Sequence, residues 1–405
     1  MRTSLLVRRG VGLIAIASAI LIEIAAAAAP AIAGTGAPQT TRAAAASSVV
    51  HAKAITTGFV HSCALTTKGA VKCWGYNGEG ELGNSTTVNS SMPVDVTGLG
   101  KGVKAISSGS YFTCALTTKG AVKCWGSNAY GQLGDNTTTD SKMPVDVYGL
   151  GKGVKAISAG NFFACALTTK GAVTCWGANT YGQLGDGTTT NSPKPVATVG
   201  LSKKVKALGA GGYHACAVTT GGKAKCWGYN GEGAVGDNTK VNTPVPVSVY
   251  ALGKVKAISG GSYHTCALTT KGGVKCWGYN GEGELGNSTN TSSLKPIGVT
   301  GLSKKVKALS VGDIHTCAVT TGGSVKCWGY NGYGALGDNT TTTSNRPVAV
   351  YSLGGKGKAV SAGGYHSCAV TTKGKAKCWG FNAYGELGDN TVTTSHKPVA
   401  VVGLP

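Results

Sequence analysis

Short apolar runs separated by glycine-rich turns recur along most of the chain, and no helical periodicity of useful length follows the first thirty-odd residues. The stretch from Val154 to Gly200 shows the pattern. Val154-Lys155-Ala156-Ile157-Ser158 predicts a first short strand, Phe162 to Thr168 a second, and Ala172 to Trp176 a third. Thr169-Lys170-Gly171 reads as a three-residue hairpin loop, with glycine where φ must be positive. The turn-rich Gly182-Gln183-Leu184-Gly185-Asp186-Gly187 then leads to a last strand from Pro195 to Val199.

This unit recurs. Cys-Trp-Gly triplets begin at Cys73, Cys124, Cys175, Cys226, Cys276, Cys327 and Cys378, at intervals of 50 or 51 residues, and hold all seven tryptophans. A second cysteine stands ten positions upstream of each, at Cys63, Cys114, Cys165, Cys216, Cys266, Cys317 and Cys368, so the two sets account for all 14. Four short strands per repeat, seven repeats and glycine-rich turns predict an all-β, seven-bladed β-propeller. The end of the chain, Lys397 to Leu404, runs naturally into the opening Val49 to Ile55, so the two termini should close the ring and leave no long sheet edge. A linear β-solenoid is the alternative, but it calls for shorter repeats and atypical caps, and the outermost units here are ordinary.

Composition narrows the class. Gly numbers 65 of 405 residues and charged residues make up 13%, which excludes a helical bundle or coiled coil. Three arginines in Met1 to Arg9, an apolar run from Gly10 to Ile22 and an exit at Ala31-Ile32-Ala33 predict a secretory signal peptide over 1–33. An uncleaved anchor is the alternative reading. An Ala/Thr-rich linker over 34–48 and the propeller over 49–405 complete the expected organisation. Cleavage removes three arginines and one glutamate, taking the formal charge from +22 to +20.

The cysteine spacing fits the hairpin. Counting outward from a Thr66–Ala70 closing pair, Leu65 faces Val71, Ala64 faces Lys72, and Cys63 faces Cys73 at a non-hydrogen-bonded site, where Cα atoms lie ~4.5 Å apart. That distance suits a disulfide, and the count holds in every unit. Seven cross-strand disulfides formed after export are therefore expected. Buried free thiols are the alternative, and a zinc knuckle would need closer spacing.

Three other repeated positions invite chemistry. His61, Phe112, Phe163, His214, His264, His315 and His366 stand two residues before the first cysteine. Sevenfold repetition spreads them round the ring, and phenylalanine replaces histidine twice, so packing with a ring nitrogen bonded to nearby backbone is expected. The adjacent alanines, such as Ala64 and Ala166, read as small residues that admit the next blade's tryptophan. Asp135, Asp186, Asp237, Asp338 and Asp389, with Asn84 and Asn287, follow the G-x-L-G turn and read as turn formers rather than Ca²⁺ ligands. Lysine dominates the basic residues, and only Arg42 and Arg346 lie beyond the signal. Such a field attracts polyanions, while the shortage of arginine argues against specific nucleic-acid readout.

His214-Ala215-Cys216-Ala217-Val218, Cys226-Trp227-Gly228-Tyr229-Asn230 and Gly182-Gln183-Leu184-Gly185 resemble the regulator of chromosome condensation repeat, and the likeness extends over 49–405. The resemblance implies a seven-bladed propeller, here in a secreted, bacterial-type member. It does not select a function, because the family includes nucleotide-exchange factors, photoreceptors and secreted inhibitor-like scaffolds. No nucleophile elbow, P-loop, dinucleotide fingerprint or H-E-x-x-H occurs.

A secreted or cell-surface, non-catalytic, monomeric scaffold is therefore expected, without cofactor or metal. Its partner should be an extracellular macromolecule, a protein or an anionic polymer, with no membrane contact once the signal is cleaved. Candidate contacts flank W-G-x-N: Tyr76, Glu79, Tyr130, Tyr181, Tyr229, Glu232, Tyr279, Glu282, Tyr330, Tyr333, Phe381 and Tyr384. Alternatives are a glycan-binding, lectin-like or structural wall protein, or, by family analogy, a guanine-nucleotide exchange factor, which export disfavours.

Overall fold

A computed structural model describes residues 50–201 and 204–404. The expected signal peptide and the linker lie outside the described residues. Strands β1 (Ala52–Thr57), β2 (His61–Thr66), β3 (Val71–Gly75) and β4 (Ser90–Asp95) form an antiparallel meander. Seven such four-stranded sheets occur among the described residues, each made of consecutive strands, and together they form a seven-bladed β-propeller. First strands face the axis, where they line a central cavity. Second strands are almost wholly buried, and fourth strands are partly exposed at the rim. Each sheet is complete within one repeat, so no strand is shared at closure.

The predicted strands of the Val154 unit are matched within a residue or so, except the last. It spans Ser192–Ala197, starting three residues before Pro195. Pro193 and Pro195 are accommodated because this outermost strand pairs on one side only, so their missing N–H groups leave no ladder bond unmade. The hairpin register is as counted: Leu65 faces Val71, Ala64 faces Lys72, and Cys63 faces Cys73. All seven cysteine pairs are disulfides, with Cα atoms 4.0–4.1 Å apart. Each closes a loop of about ten residues and contributes roughly 2–3 kcal/mol.

Neighbouring blades pack face to face through seven apolar clusters. In one, Cys114, Cys124, Leu116 and Leu133 of the second blade meet Ala164, Ala166 and Trp176 of the third. Alanine and tryptophan therefore share a face and rest together on the disulfide face of the preceding blade. This corrects the expectation that alanine makes room for the next blade's tryptophan. Ala164 lies directly opposite Trp176 in the ladder and so on the same face of the sheet. The same cluster between the seventh and first blades joins Cys368 and Leu387 to Ala64 and Trp74, with Val401 and Leu404 against Ala52 and Ile55. The two ends of the propeller chain thus close the ring by packing.

Around the axis the backbone closes a second ring. The turn after each first strand donates an N–H to the next blade's carbonyl: Phe59 to Ser110, Ser110 to Asn161, Asn161 to Gly212, and Gly212 to Gly261. Ser262 to Asp313, Asp313 to Gly363, and Gly364 to Gly58 complete the circuit at 2.8–3.4 Å. Glycine precedes these turns in every blade because the approach leaves room only for hydrogen. A Cβ on Gly58 would stand 2.5 Å from the Gly109 carbonyl oxygen and would strike the His61 ring. Gly58→Ala should lower unfolding free energy by about 1–3 kcal/mol, whereas Gly100→Ala, with open space around it, should change it by less than about 0.5 kcal/mol. Denaturant titration of the oxidised variants checks this, and equal stabilities would refute the close-approach argument.

Candidate functional site

Loops that follow first and third strands emerge on one edge of every blade, because strand direction alternates in a meander. Those loops carry most of the aromatic residues outside the core. The third-to-fourth-strand loop is shaped by the asparagine of W-G-x-N, which is fully buried in every blade. In the first blade Asn77 Oδ1 accepts from Leu82 N–H, while Nδ2 donates to the Thr86 and Val88 carbonyls. The Asx position beside it acts as a turn former: Asp135 Oδ1 accepts from Thr137 N–H at 3.0 Å and from its hydroxyl at 2.8 Å. A loop tethered this way holds its aromatic side chains in fixed directions.

The rings gather into two arcs. Tyr76, Tyr384, Phe381, Tyr333 and Tyr330 join Phe59, Tyr111 and Tyr365 through contacts with centroids 5.2–6.4 Å apart, mostly edge-to-face. Tyr130, Tyr181 and Tyr229 join Phe162, Tyr213 and Tyr263 in the second, at 5.1–6.5 Å. Tyr130, Tyr333 and Tyr384 are 44%, 40% and 39% exposed. Tyr279 belongs to neither arc, although like Tyr76, Tyr229 and Tyr330 it folds over the glycine two residues on in its own loop. Glu79, Glu232 and Glu282 take the place that tyrosine holds at Tyr130, Tyr181, Tyr333 and Tyr384. Burial first, and then the Glu79 charge, raise the Tyr76 phenol to about 12, so it remains a hydrogen-bond donor at neutral pH.

Sequence reasoning missed Phe59, Tyr111, Phe162, Tyr213, Tyr263 and Tyr365. The available signal was the recurrence of all but Phe59 just before the histidine position, in loops that share an edge with W-G-x-N; Phe59 stands one residue earlier. Inside the arcs, a polar cavity of about 160 Å³ opens on the axis. Its one acid, Asp313, accepts from the Ser262 hydroxyl at 2.8 Å, which in turn accepts from Asn161 Nδ2. Burial raises the Asp313 carboxyl, only partly offset by that hydrogen bond.

The histidines lie elsewhere, sealed between blades. Each bonds a hydroxyl of the next blade rather than nearby backbone, correcting the expectation. His61 pairs with Thr113, His214 with Thr265, His264 with Thr316, His315 with Ser367 and His366 with Ser62, at 2.6–2.9 Å. Thr265 donates its own proton to the Ala234 carbonyl, so His214 Nε2 must be the donor in that pair. The same carbonyl also accepts from Trp277 Nε1. Where phenylalanine replaces histidine, the hydroxyl is gone as well: Phe112 faces the Ala164 position and Phe163 the Ala215 position. The pairs are matched, either polar on both sides or apolar on both. Thr265→Ala should therefore cost about 1–3 kcal/mol by stranding a buried imidazole donor, and adding His214→Phe should recover most of it. Chemical denaturation of the double-mutant cycle measures the coupling, and strictly additive losses would refute it.

Burial pushes these imidazoles down from 6.5, to about 3 for His61, His264 and His366 and about 4 for His214 and His315. Burial likewise pushes Glu284 and Glu386 up from 4.5 to about 8, and raises Glu81 with help from Glu79. Neutral histidine in the fold favours folding above pH 6.5 and loses that advantage as pH falls toward 3–4. Protonated glutamate favours folding below 4.5 and loses it as pH rises toward 8. Five histidines outweigh the three glutamates and Asp313, whose carboxyl burial also raises, so stability should peak near pH 6.5. Thermal unfolding across pH 5–9 tests this, and Glu284→Gln with Glu386→Gln should flatten the alkaline decline. Blades 2 and 3 already carry Gln132 and Gln183 at that position. A melting temperature that keeps rising to pH 8 would refute the assignment.

The sequence profile of the RCC1-like domain matches residues 31–351, and that of the RCC1 repeat matches 358–386. The chain is 30% identical over 352 residues to the ultraviolet-B receptor UVR8 of Arabidopsis thaliana, covering 86% of this chain and 69% of that protein. It is also 30% identical over 337 residues to the E3 ubiquitin-protein ligase HERC2 of Homo sapiens, but spans 6% of that protein's length. Among solved structures, human WBSCR16 superposes with a TM-score of 0.75 at 22% identity, over 82% of this chain and 94% of that one. Prp20p of Saccharomyces cerevisiae, whose binding to Gsp1p and histones was examined with its structure, gives 0.73 at 21% identity, over 87% of each chain. These two likenesses concern the fold. The matched repeats, the relatives and the seven sealed blades together make this chain a member of the RCC1-like domain family.

Proposed function

We propose that the protein is an exported, non-catalytic scaffold that captures a protein partner on its aromatic edge. The observation that carries this reading is the tethered belt of tyrosine and phenylalanine rings, partly exposed and braced against one another. Amphipathic rings held rigid lose little conformational entropy on contact, and tyrosine is enriched among residues that dominate binding energy. The histidines, cysteines and tryptophans are consumed in holding blades together, which leaves the loops as the variable surface. Prp20p, with the same fold, is described as binding Gsp1p and histones, which supports a protein partner here. The seven disulfides suit an oxidising compartment, and together with the basic and apolar N-terminus they support export.

Affinity capture from culture medium and cell-wall extracts, comparing the native chain with Tyr130→Ala/Tyr333→Ala/Tyr384→Ala, tests the proposal. A protein retained by the native chain should bind the variant about 10- to 100-fold more weakly. If the variant retains the same proteins equally well, or the native chain retains none, the aromatic edge is not the binding surface.

A further inference from the structure

The opposite edge of each blade has a different chemistry. It comprises the hairpins between second and third strands, the connections into the next blade, and the first residues of the first and third strands. Among the described residues, 27 lysines fall on this edge against two acids, Asp95 and Asp146. Both acids are already held, by Lys72 at 2.7 Å and Lys123 at 2.8 Å. In the remaining blades their places are taken by Ala197, Ser248, Gly298, Ala349 and Ala400. The other described acids stand on or near the aromatic edge.

The backbone contributes to this field. Every first strand has a register shift at its second residue, and in all seven blades the residue passed over is lysine, Lys53 in the first and Lys358 in the seventh. A bulge re-aims the side chain of the unpaired residue. Seven such lysines belong to the strands nearest the axis, and the hairpin tips add Lys119, Lys170, Lys271 and Lys373, all exposed. Each blade contributes, so the charge is spread over a disc rather than along a groove.

We propose that this lysine face binds acidic polysaccharide, a polyuronate or similarly carboxylated glycan, on the edge opposite the aromatic belt. An evenly charged disc engages many strands of a flexible, network-forming polyanion, whereas a rigid duplex is a convex cylinder that meets only one stripe of it. The cations are ammonium groups, which act as hydrated point charges without the bidentate fork that base and phosphate recognition recruits. Arg346, by contrast, stands on an outermost strand away from this edge. The exposed Tyr148, Tyr250 and Tyr351 sit in the interblade connections and offer ring faces to the apolar sides of sugar rings. The aromatic edge is not involved, so this inference stands or falls apart from the protein-capture reading.

Two charge-reversal variants of the full chain separate a local face from overall charge. One carries Lys119, Lys170, Lys271 and Lys373→Glu on the lysine face, and the other Lys194, Lys240, Lys295 and Lys397→Glu on fourth strands or the loops before them. Both change net charge equally, and matching thermal midpoints show that both fold. On immobilised polygalacturonate at low salt, the first variant should lose at least about tenfold in affinity and the second less than about twofold, with binding of the native chain falling steeply as salt is added. Equal losses in both variants, or no binding by the native chain, would overturn the face. Tighter binding to duplex DNA than to polygalacturonate at the same salt would overturn the glycan assignment.

Discussion

Crowding at the axis governs the rest of this structure. Seven first strands converge there, and each glycine Cα abuts the next blade's carbonyl closely enough that a methyl group has no place. The N–H groups of the adjoining turns bond from blade to blade until the last returns to the first. Because both strand spacing and hydrogen bonds are set at the centre, the gap between blades widens outward by a fixed amount. Tryptophan and the leucine of G-x-L-G, replaced by Val235 in the fourth blade, fill that wedge, one indole per interface, with each indole N–H donating to a carbonyl of the preceding blade.

Polar groups survive inside the interfaces because they are matched in pairs. The Ala234 carbonyl accepts from Thr265 and from Trp277, and Thr265 accepts from His214, so three side chains of two blades share one short network. Two interfaces dispense with the hydroxyl and the imidazole together and bury phenylalanine on alanine instead. Either arrangement avoids stranding the hydroxyl or the imidazole Nε2 that faces it, while Nδ1 of His61, His214, His315 and His366 stays buried without a partner. The disulfides stand on the opposite face of each sheet, fully buried, where they tie its two central strands and carry the alanine and tryptophan of the next blade.

With strand side chains committed to packing, the surface divides by chain direction alone. Alternating strands send aromatic and acidic loops to one edge and lysine-bearing hairpins to the other, and repetition multiplies each small preference sevenfold. A protein of +22 formal charge thereby becomes polarised, with its acids near the tyrosine belt and its lysines across the ring. The bulge at each first strand belongs to the same logic, since it turns out of the ladder the one charged residue that the inner strand carries.

Periodicity in the sequence was enough to establish the repeat, the four-strand unit, the cysteine pairing and ring closure, because each depends on spacing along one hairpin or on repetition of it. Cys63 and Cys73 are neighbours whatever the remainder of the chain does. The turn role of Asp135 was legible for the same reason, as its partners lie two residues away. Partners from different blades were not legible in the same way. That His214 meets Thr265, that Ala166 and Trp176 share a face against the second blade, and that Phe59 joins Tyr365 all depend on how sheets lie against each other. Local spacing is set by the covalent chain, so sequence determined it. Contacts across blades, and the gathering of aromatic rings on one edge, required the curvature that seven crowded strands impose, and only the tertiary structure decided them.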